Sequence, residues 1–366
     1  MRAAVLRAPG MPLTVEEVTL DPPGPGELLV RVEAAGICHS DLHYILGDLR
    51  CRLPAVLGHE GCAVVEATGP GVESVAVGDR VSLLWRPRCG ECRNCLVGRS
   101  ELCVVGRLEA TSGGLVDGTS RLHIGEETAF HFLGVSCFAE RCVVSARSVV
   151  LVPPSIPAAV AAIAGCAVVT GVGAVLNGIG RCAGRSIVVV GAGGVGCAAV
   201  MGAAAAGAYP IVAIDRSPSA LTLAGEVGAT HAINADDEDL GATVLEITGG
   251  GSDWSIEAVG RPDTLRLAFS CLRPGGAVVA VGLAAVGATF ELPINELVQQ
   301  EKSVIGSLYG SASPSLTLPR IFELYLAGRL PLDRLLGESY RLDDVNVAFD
   351  ALTAGAAGRA TLTPSP

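Results

Sequence analysis

The residues in this chain best suited to chemistry are its cysteines. Cys89, Cys92, Cys95 and Cys103 fall in the run CGECRNCLVGRSELC, at steps of three, three and eight residues. Short Cys-x-x-Cys steps let one turn bring two sulfurs to a single ion, and four thiolates make a closed, structural zinc site. A second set is scattered: Cys38 in GICHSD, His59 in LGHEG and Cys166 in GCAVVTG. Three protein ligands keep a fourth position for water or substrate, as a catalytic zinc requires. Taken singly, each of the three also reads as an ordinary buried thiol or hydrogen-bonded ring. One chain carrying both sets points to a zinc enzyme.

Disulfides are the competing reading of the close-packed set. The total of 13 cysteines is odd, and the N-terminus has no signal-peptide pattern. A reducing, cytoplasmic setting with metal-binding thiols is therefore expected.

A third signal is a nucleotide motif. The apolar run SIVVV at 186–190 leads into GAGGVG, where Gly191, Gly193 and Gly196 stand in the G-x-G-x-x-G pattern, and then into the small-residue stretch CAAVMGAAAAGA. In a chain with 47 glycines the triplet alone means little. Its context carries more weight, because a second apolar run, IVAID, ends in Asp215 about twenty residues beyond the glycines. The glycines permit a tight turn that brings a pyrophosphate onto a helix N-terminus, and the acid can accept from both ribose hydroxyls.

The elements that must position these groups follow from the patterning. Residues 1–167 read as short strands between Gly/Pro turns (PPGPGE, GPGVESVAVGD), with a loop-rich metal lobe over about 86–106. Cys38 and His59 fall at strand ends, where ligands commonly sit. Over 168–310, runs such as IVAID, WSIEAV and AVVAVG alternate with helical stretches, which predicts an α/β unit with a doubly wound parallel sheet. The tail, 311–366, holds helical pieces such as LPRIFELYLAGRL. A length of 366 residues suits two domains, and a net charge of −11 argues against nucleic acid or an anionic membrane as partner. The Ala/Gly-rich stretches at 158–180 and 191–208 contain breakers and read as buried helices rather than membrane spans.

Taken together, GICHSDLH, LGHEGCAVVEATGPGV, VGDRV, CGECRNC, DGTSRL, GVSCFAE, GCAVVTG, GAGGVG and EAVGRPDTL, in this order, resemble the zinc-dependent alcohol dehydrogenases of the medium-chain dehydrogenase/reductase family. The likeness is to the longer-chain branch, with the animal liver and glutathione-dependent formaldehyde enzymes, and it covers nearly the whole chain. It implies a GroES-like, mostly β catalytic domain completed by the tail, a Rossmann domain, and an active site in the cleft between them. It also implies NAD as cofactor and two zinc ions per chain, one catalytic on Cys38, His59 and Cys166, and one structural on Cys89, Cys92, Cys95 and Cys103. The stretch 106–130 matches a loop of the branch that is usually dimeric, which implies a homodimer.

Residue roles follow from the resemblance. Asp41 matches the carboxylate that orients the zinc-ligating histidine, and Glu60 an acid that approaches the metal during ligand exchange. Ser40 matches the hydroxyl beside the alcohol, and His43 the outer histidine of a proton relay. Thr170, Gly194 and Val195 match positions at the nicotinamide and the glycine turn, Arg261 an adenosine-side contact, and Arg359 a pyrophosphate clamp. His39 stands where relatives often carry arginine, which implies a weaker hold on pyrophosphate. Arg216, directly after Asp215, leaves NADP open beside NAD.

By position, Trp85, Leu108, Phe132, Leu283 and Leu308 line an apolar pocket with Ser40, its inner part narrowed by Trp85, which implies primary alcohols or aldehydes rather than bulky secondary ones as substrates. Arg107 falls near an arginine of the formaldehyde enzymes, so a dehydrogenase of a thiol–formaldehyde adduct is the alternative. The acids those enzymes place before the ligand histidine are not reproduced in GDLRCRLP, where only Asp48 is acidic. A zinc-stabilised, NAD-binding protein without turnover is a further reading. Against it, every ligand and both relay residues are present.

Overall fold

The computed structural model describes residues 1–115 and 117–365, with the side chains of all but Leu108, Glu109 and Ala110. The runs expected to be strands form three sheets. A seven-stranded sheet follows the order Val149–Leu151, Arg80–Leu83, Gly61–Thr68, Glu27–Gly36, Arg359–Thr363, Leu336–Arg341, with Arg141–Ser145 also paired to Glu27–Gly36. Strand Glu27–Gly36 reads ELLVRVEAAG and alternates between buried and half-buried positions along its middle, as a sheet with one covered face requires. A smaller six-stranded sheet is built from short pieces between Arg2–Leu6 and Glu127–His131.

The third sheet is parallel throughout. Its order is His231–Asn234, Ile211–Asp215, Ile187–Val190, Ser252–Glu257, Leu272–Ala280, Ser303–Gly306. Numbered along the chain, these strands run 3-2-1-4-5-6, the doubly wound dinucleotide-binding order, whose switch point lies beside the first strand. The first strand, IVVV, is buried at all four positions, as expected of a parallel strand covered by helices on both faces.

Sheet membership does not follow the chain linearly. Strand Arg359–Thr363 near the C-terminus returns to pair antiparallel with Glu27–Gly36, Leu362 facing Ala35. The two parts meet on one helix, Ala158–Ile179, interrupted by wide π-turns at Ala164–Val168 and Ala174–Ile179. An 18-residue stretch of this 22-residue helix has a mean hydropathy of 2.3, enough to cross a membrane by length and composition, yet 83% of that stretch is buried inside the molecule. The largest apolar core explains this, since it joins Ala34, Cys62 and Leu84 of the β part to Val160, Val172, Val189 and Val200. The helix is the shared floor of both parts, and it carries Cys166 and Thr170 to the cleft between them.

Candidate active site

The cysteine-rich lobe folds around its own sulfurs. Cys89 and Cys95 place Sγ atoms 3.9 Å apart, Cys92 and Cys103 3.9 Å, and Cys103 and Cys89 3.6 Å. A disulfide needs about 2.05 Å. A tetrahedron of zinc–sulfur bonds of about 2.3 Å has edges of about 3.8 Å, so these separations suit four thiolates on one ion. The backbone N–H groups of Cys89 and Gly106 point at Cys103 Sγ, and that of Cys92 at Cys89 Sγ, as anionic sulfur favours.

The scattered set converges at the cleft floor. Cys38 caps helix His39–Leu46 and accepts the Ser40 N–H at 3.3 Å. The first turn of the same helix buries Asp41 completely, and its Oδ1 accepts from His59 Nδ1 and from the Gly58 N–H, each at 3.2 Å. Gly58 needs its φ of +92°, and a Cβ there would stand 2.5 Å from the Phe138 ring, so this turn tolerates only glycine. With Nδ1 held by Asp41, Nε2 of His59 faces the cluster. Donor atoms of Cys38, His59, Glu60 and Cys166 all lie within 4.8 Å of one another, and all four residues are buried.

Two soft sulfurs, one imidazole and a nearby carboxylate suit zinc. The electrostatics of the cluster agree. A hydrogen bond from Cys166 holds Cys38 well below the ordinary thiol range, aided by Arg359 and His59 against burial, while Cys166 is pushed up. Burial works against a charged His59, but Asp41 and Cys38 hold it well above the usual imidazole range. Burial pushes Glu60 up to about 7, with Arg359 opposing.

Arg359 joins this cluster to the nucleotide motif. It is 4% exposed, donates from Nη2 to Glu60 Oε1 at 2.5 Å and from Nε to Glu60 Oε2 at 3.2 Å, and places Nη2 3.2 Å from Cys38 Sγ. Its Nε also lies 3.5 Å from where a Cβ on Gly194 would stand, against the first turn of helix Gly194–Ala205. That turn requires glycine at 196, where a Cβ would meet the Gly191 carbonyl oxygen at 1.7 Å. Asp215 ends the neighbouring strand and is fixed at both oxygens, accepting the Ala192 N–H at 2.7 Å and the Ser217 N–H at 2.9 Å.

A cleft of about 430 Å³ connects these groups. Its walls include Cys38, His39, Ser40, His43, Trp85, Cys166, Thr170, Gly191, Gly193, Gly194, Val195, Asp215, Leu283, Leu308 and Arg359. Other expected residues stand elsewhere. Phe132 is buried behind the ligand histidine, its ring edge-on at 5.8 Å, and backs His59 rather than lining the cleft. Arg261 is turned onto its own helix terminus, paired to Asp263 through Nε at 3.0 Å and Nη2 at 2.8 Å. Arg216 pairs with Asp236 at 3.0 Å on the surface. The Leu108 side chain lies outside the described residues.

Sequence reasoning missed three partners. Asp48 accepts at Oδ2 from His43 Nδ1 at 2.9 Å, and an acid five residues after the histidine was a visible signal. The Glu60–Arg359 pair, 299 residues apart, left no such signal, nor did Tyr309, which lines the cleft.

The fold and the two donor sets define a zinc- and dinucleotide-handling oxidoreductase. Comparison with known proteins agrees. The family described as "Alcohol dehydrogenase GroES-like domain" matches residues 24–154, and "Zinc-binding dehydrogenase" matches residues 194–325. The chain is 40% identical over 358 residues to an NDMA-dependent alcohol dehydrogenase of Amycolatopsis methanolica, covering 97% of this chain and 96% of that one. It is 36% identical over 365 residues to an S-(hydroxymethyl)glutathione dehydrogenase of Synechocystis, covering 99% of each. The structure of a benzyl alcohol dehydrogenase from Acinetobacter calcoaceticus superposes with a TM-score of 0.94 at 33% identity, covering 100% of this chain and 99% of that one. The chain belongs to the zinc-dependent alcohol dehydrogenase family, within the medium-chain dehydrogenases, and is an enzyme of that class.

Proposed function

We propose that the chain is an NAD-dependent dehydrogenase of primary alcohols and aldehydes, with Cys38, His59 and Cys166 holding a catalytic zinc and Cys89, Cys92, Cys95 and Cys103 a structural one. The observation that carries this reading is the single cleft onto which Cys38, Cys166, the glycine turn and Asp215 all open. Zinc supplies Lewis acidity that makes a nearby alcohol hydroxyl acidic, and the nicotinamide supplies the hydride acceptor.

The chain's own residues do the rest. Ser40 and His43 stand three residues apart on one helix and line the same cleft, so their side chains share a face. The Ser40 hydroxyl can accept the substrate's proton while donating its own, and His43, steadied by Asp48, passes it to solvent. Asp41 keeps His59 in the tautomer with Nε2 free to ligate. Arg359 balances the buried charge of Glu60 and presents its guanidinium to the helix turn that receives pyrophosphate. Trp85, Leu283 and Leu308 make the walls apolar and exclude water from the reacting carbon. A carboxylate at Asp215 repels a ribose 2′-phosphate, and Asp236 occupies Arg216, which supports NAD over NADP.

Two further readings go with this proposal. The strand Ser303–Gly306 ends its sheet with an open edge, and Val304, Ile305, Val286, Ile294 and Val298 around it are exposed, which supports a homodimer joined there. The odd cysteine count with all 13 thiols free supports a cytoplasmic setting.

The test is the formation of reduced nicotinamide when the purified protein meets NAD or NADP with a panel of primary alcohols, and with formaldehyde plus a thiol carrier. Turnover of simple alcohols with NAD, lost in Ser40→Ala and about tenfold lower in His43→Gln near neutral pH, is the expected result. Turnover that needs the thiol adduct would establish the alternative of a thiol–formaldehyde adduct dehydrogenase. Against that alternative stands Asp48, the one acid of the segment GDLRCRLP, which is engaged by His43. Absence of turnover with every alcohol and aldehyde would refute both.

A further inference from the structure

Tyr309 is a cleft residue that the roles above leave unassigned. It is 2% exposed and follows the last parallel strand, Ser303–Gly306. Its φ is +53°, and those of Gly310 and Ser311 are +79° and +59°. Three successive left-handed residues, two of them with side chains, persist only where the surroundings over-determine them, and such sites cluster at functional centres. The surroundings here are specific. Asn177 Nδ2, on the long helix, donates to the Gly310 carbonyl at 3.0 Å, and Ser311 Oγ donates to Ser307 Oγ at 2.8 Å. Ser100 Oγ, in the cysteine-rich lobe, donates to Ser313 Oγ at 2.8 Å.

The segment so held places Tyr309 against two parts of the active site. Its hydroxyl donates to the Gly165 carbonyl at 2.5 Å, in the peptide that leads into Cys166. That peptide lies in the π-turn Ala164–Val168, a wide turn of the kind found at functional sites. Its ring stacks on Trp85, centroids 4.5 Å apart with planes at 30°, and Trp85 is a wall of the cleft.

We propose that Tyr309 is a positioning residue, whose hydroxyl fixes the Gly165–Cys166 peptide and whose ring fixes Trp85, so that the end of the nucleotide-binding sheet sets both a metal ligand and the substrate wall. This rests on reading Cys38, His59 and Cys166 as zinc ligands. Residues that orient a metal ligand from behind commonly change metal affinity ten- to a hundredfold when replaced. A hydroxyl on the carbonyl next to a ligand belongs with them, because it restricts the peptide plane from which Sγ is carried.

The test reads zinc release to a chromogenic chelator, independent of turnover, for the wild type, Tyr309→Phe and Tyr309→Leu. In the wild type one zinc is expected to leave ahead of the other. Tyr309→Phe keeps the ring and removes only the hydroxyl, and should speed the early release about tenfold while leaving the late one unchanged. Tyr309→Leu should in addition alter the ratio of KM values for a bulky and a small alcohol, through Trp85. Early release unchanged in Tyr309→Phe, or both releases accelerated together, overturns the role of the hydroxyl. An unchanged KM ratio in Tyr309→Leu overturns the role of the ring. Failure of the underlying ligand assignment shows separately, as a wild type with no early zinc and a Cys166→Ser variant with full zinc content.

Discussion

Replacing Arg359 with methionine separates the pairing seen with Glu60 from the coenzyme contact proposed for the same guanidinium. The side chain is 4% exposed and its partner Glu60 is fully buried, so Arg359→Met leaves a carboxylate without its cation where water does not reach. Breaking a buried pair in this way costs about 3–5 kcal/mol. Glu60 is already pushed up to about 7 by its burial, so it escapes part of that penalty by taking a proton. The lower end, about 3 kcal/mol, is the expected loss at neutral pH in urea unfolding. The double variant Arg359→Met/Glu60→Gln removes both charges and should regain most of it. Coenzyme affinity should behave differently. The guanidinium lies against the first turn of helix Gly194–Ala205, where pyrophosphate is proposed to sit. Losing one charge-assisted hydrogen bond, about 1.5–3 kcal/mol, weakens NADH binding about ten- to a hundredfold. The double variant should not recover it. NADH bound as tightly by the double variant as by the wild type would remove Arg359 from the coenzyme site. A single variant as stable as the wild type would show that Glu60 does not depend on its charge.

Four other variants have outcomes of their own. Cys38→Ala should lose one zinc and all activity while remaining folded, whereas Cys95→Ala should unfold the lobe at lower denaturant, because its four sulfurs are its core; elemental analysis and unfolding curves distinguish them. Asp215→Gly should weaken NAD and relax the discrimination against NADP, seen in kcat/KM for the two coenzymes; a wild type that prefers NADP contradicts the assignment. His131 is buried, its Nε2 accepting the Arg121 N–H at 3.3 Å, and burial with the Arg121 charge pushes it down to about 3. The folded ring is neutral while the unfolded one takes a proton below about pH 6.5, so stability is full above that pH and falls as pH drops towards 3. About 2 kcal/mol should be lost by pH 5, and His131→Gln, which cannot titrate, should flatten that part of the curve.

Features fixed by short spacing were legible in the sequence. Cys89, Cys92, Cys95 and Cys103 share one loop, so their steps alone allow them to meet, and their sulfurs lie within 4.8 Å of one another. The glycine turn and Asp215 sit at the ends of adjacent parallel strands because an apolar run must enter the sheet before each, Val190 standing beside Ile214. The order of alternating runs was enough to give the doubly wound sheet.

Convergence over long separations was decided by the tertiary structure. Cys38, His59 and Cys166 were recognisable by type and neighbouring motif, but what brings them together is a buried helix packed against both parts of the molecule. Phe132 and Arg261 show the limit of positional reasoning, since one packs behind His59 and the other is captured by its own neighbour Asp263. Glu60 meets Arg359 only because the C-terminal strand pairs with Glu27–Gly36, and Tyr309 meets Gly165 only because the last parallel strand ends over the long helix. The physical reason is one of range. Turn and strand preferences act over a few residues and leave a pattern in the sequence, whereas a buried charge or hydroxyl finds its partner through the packing of whole sheets, and no local pattern records it.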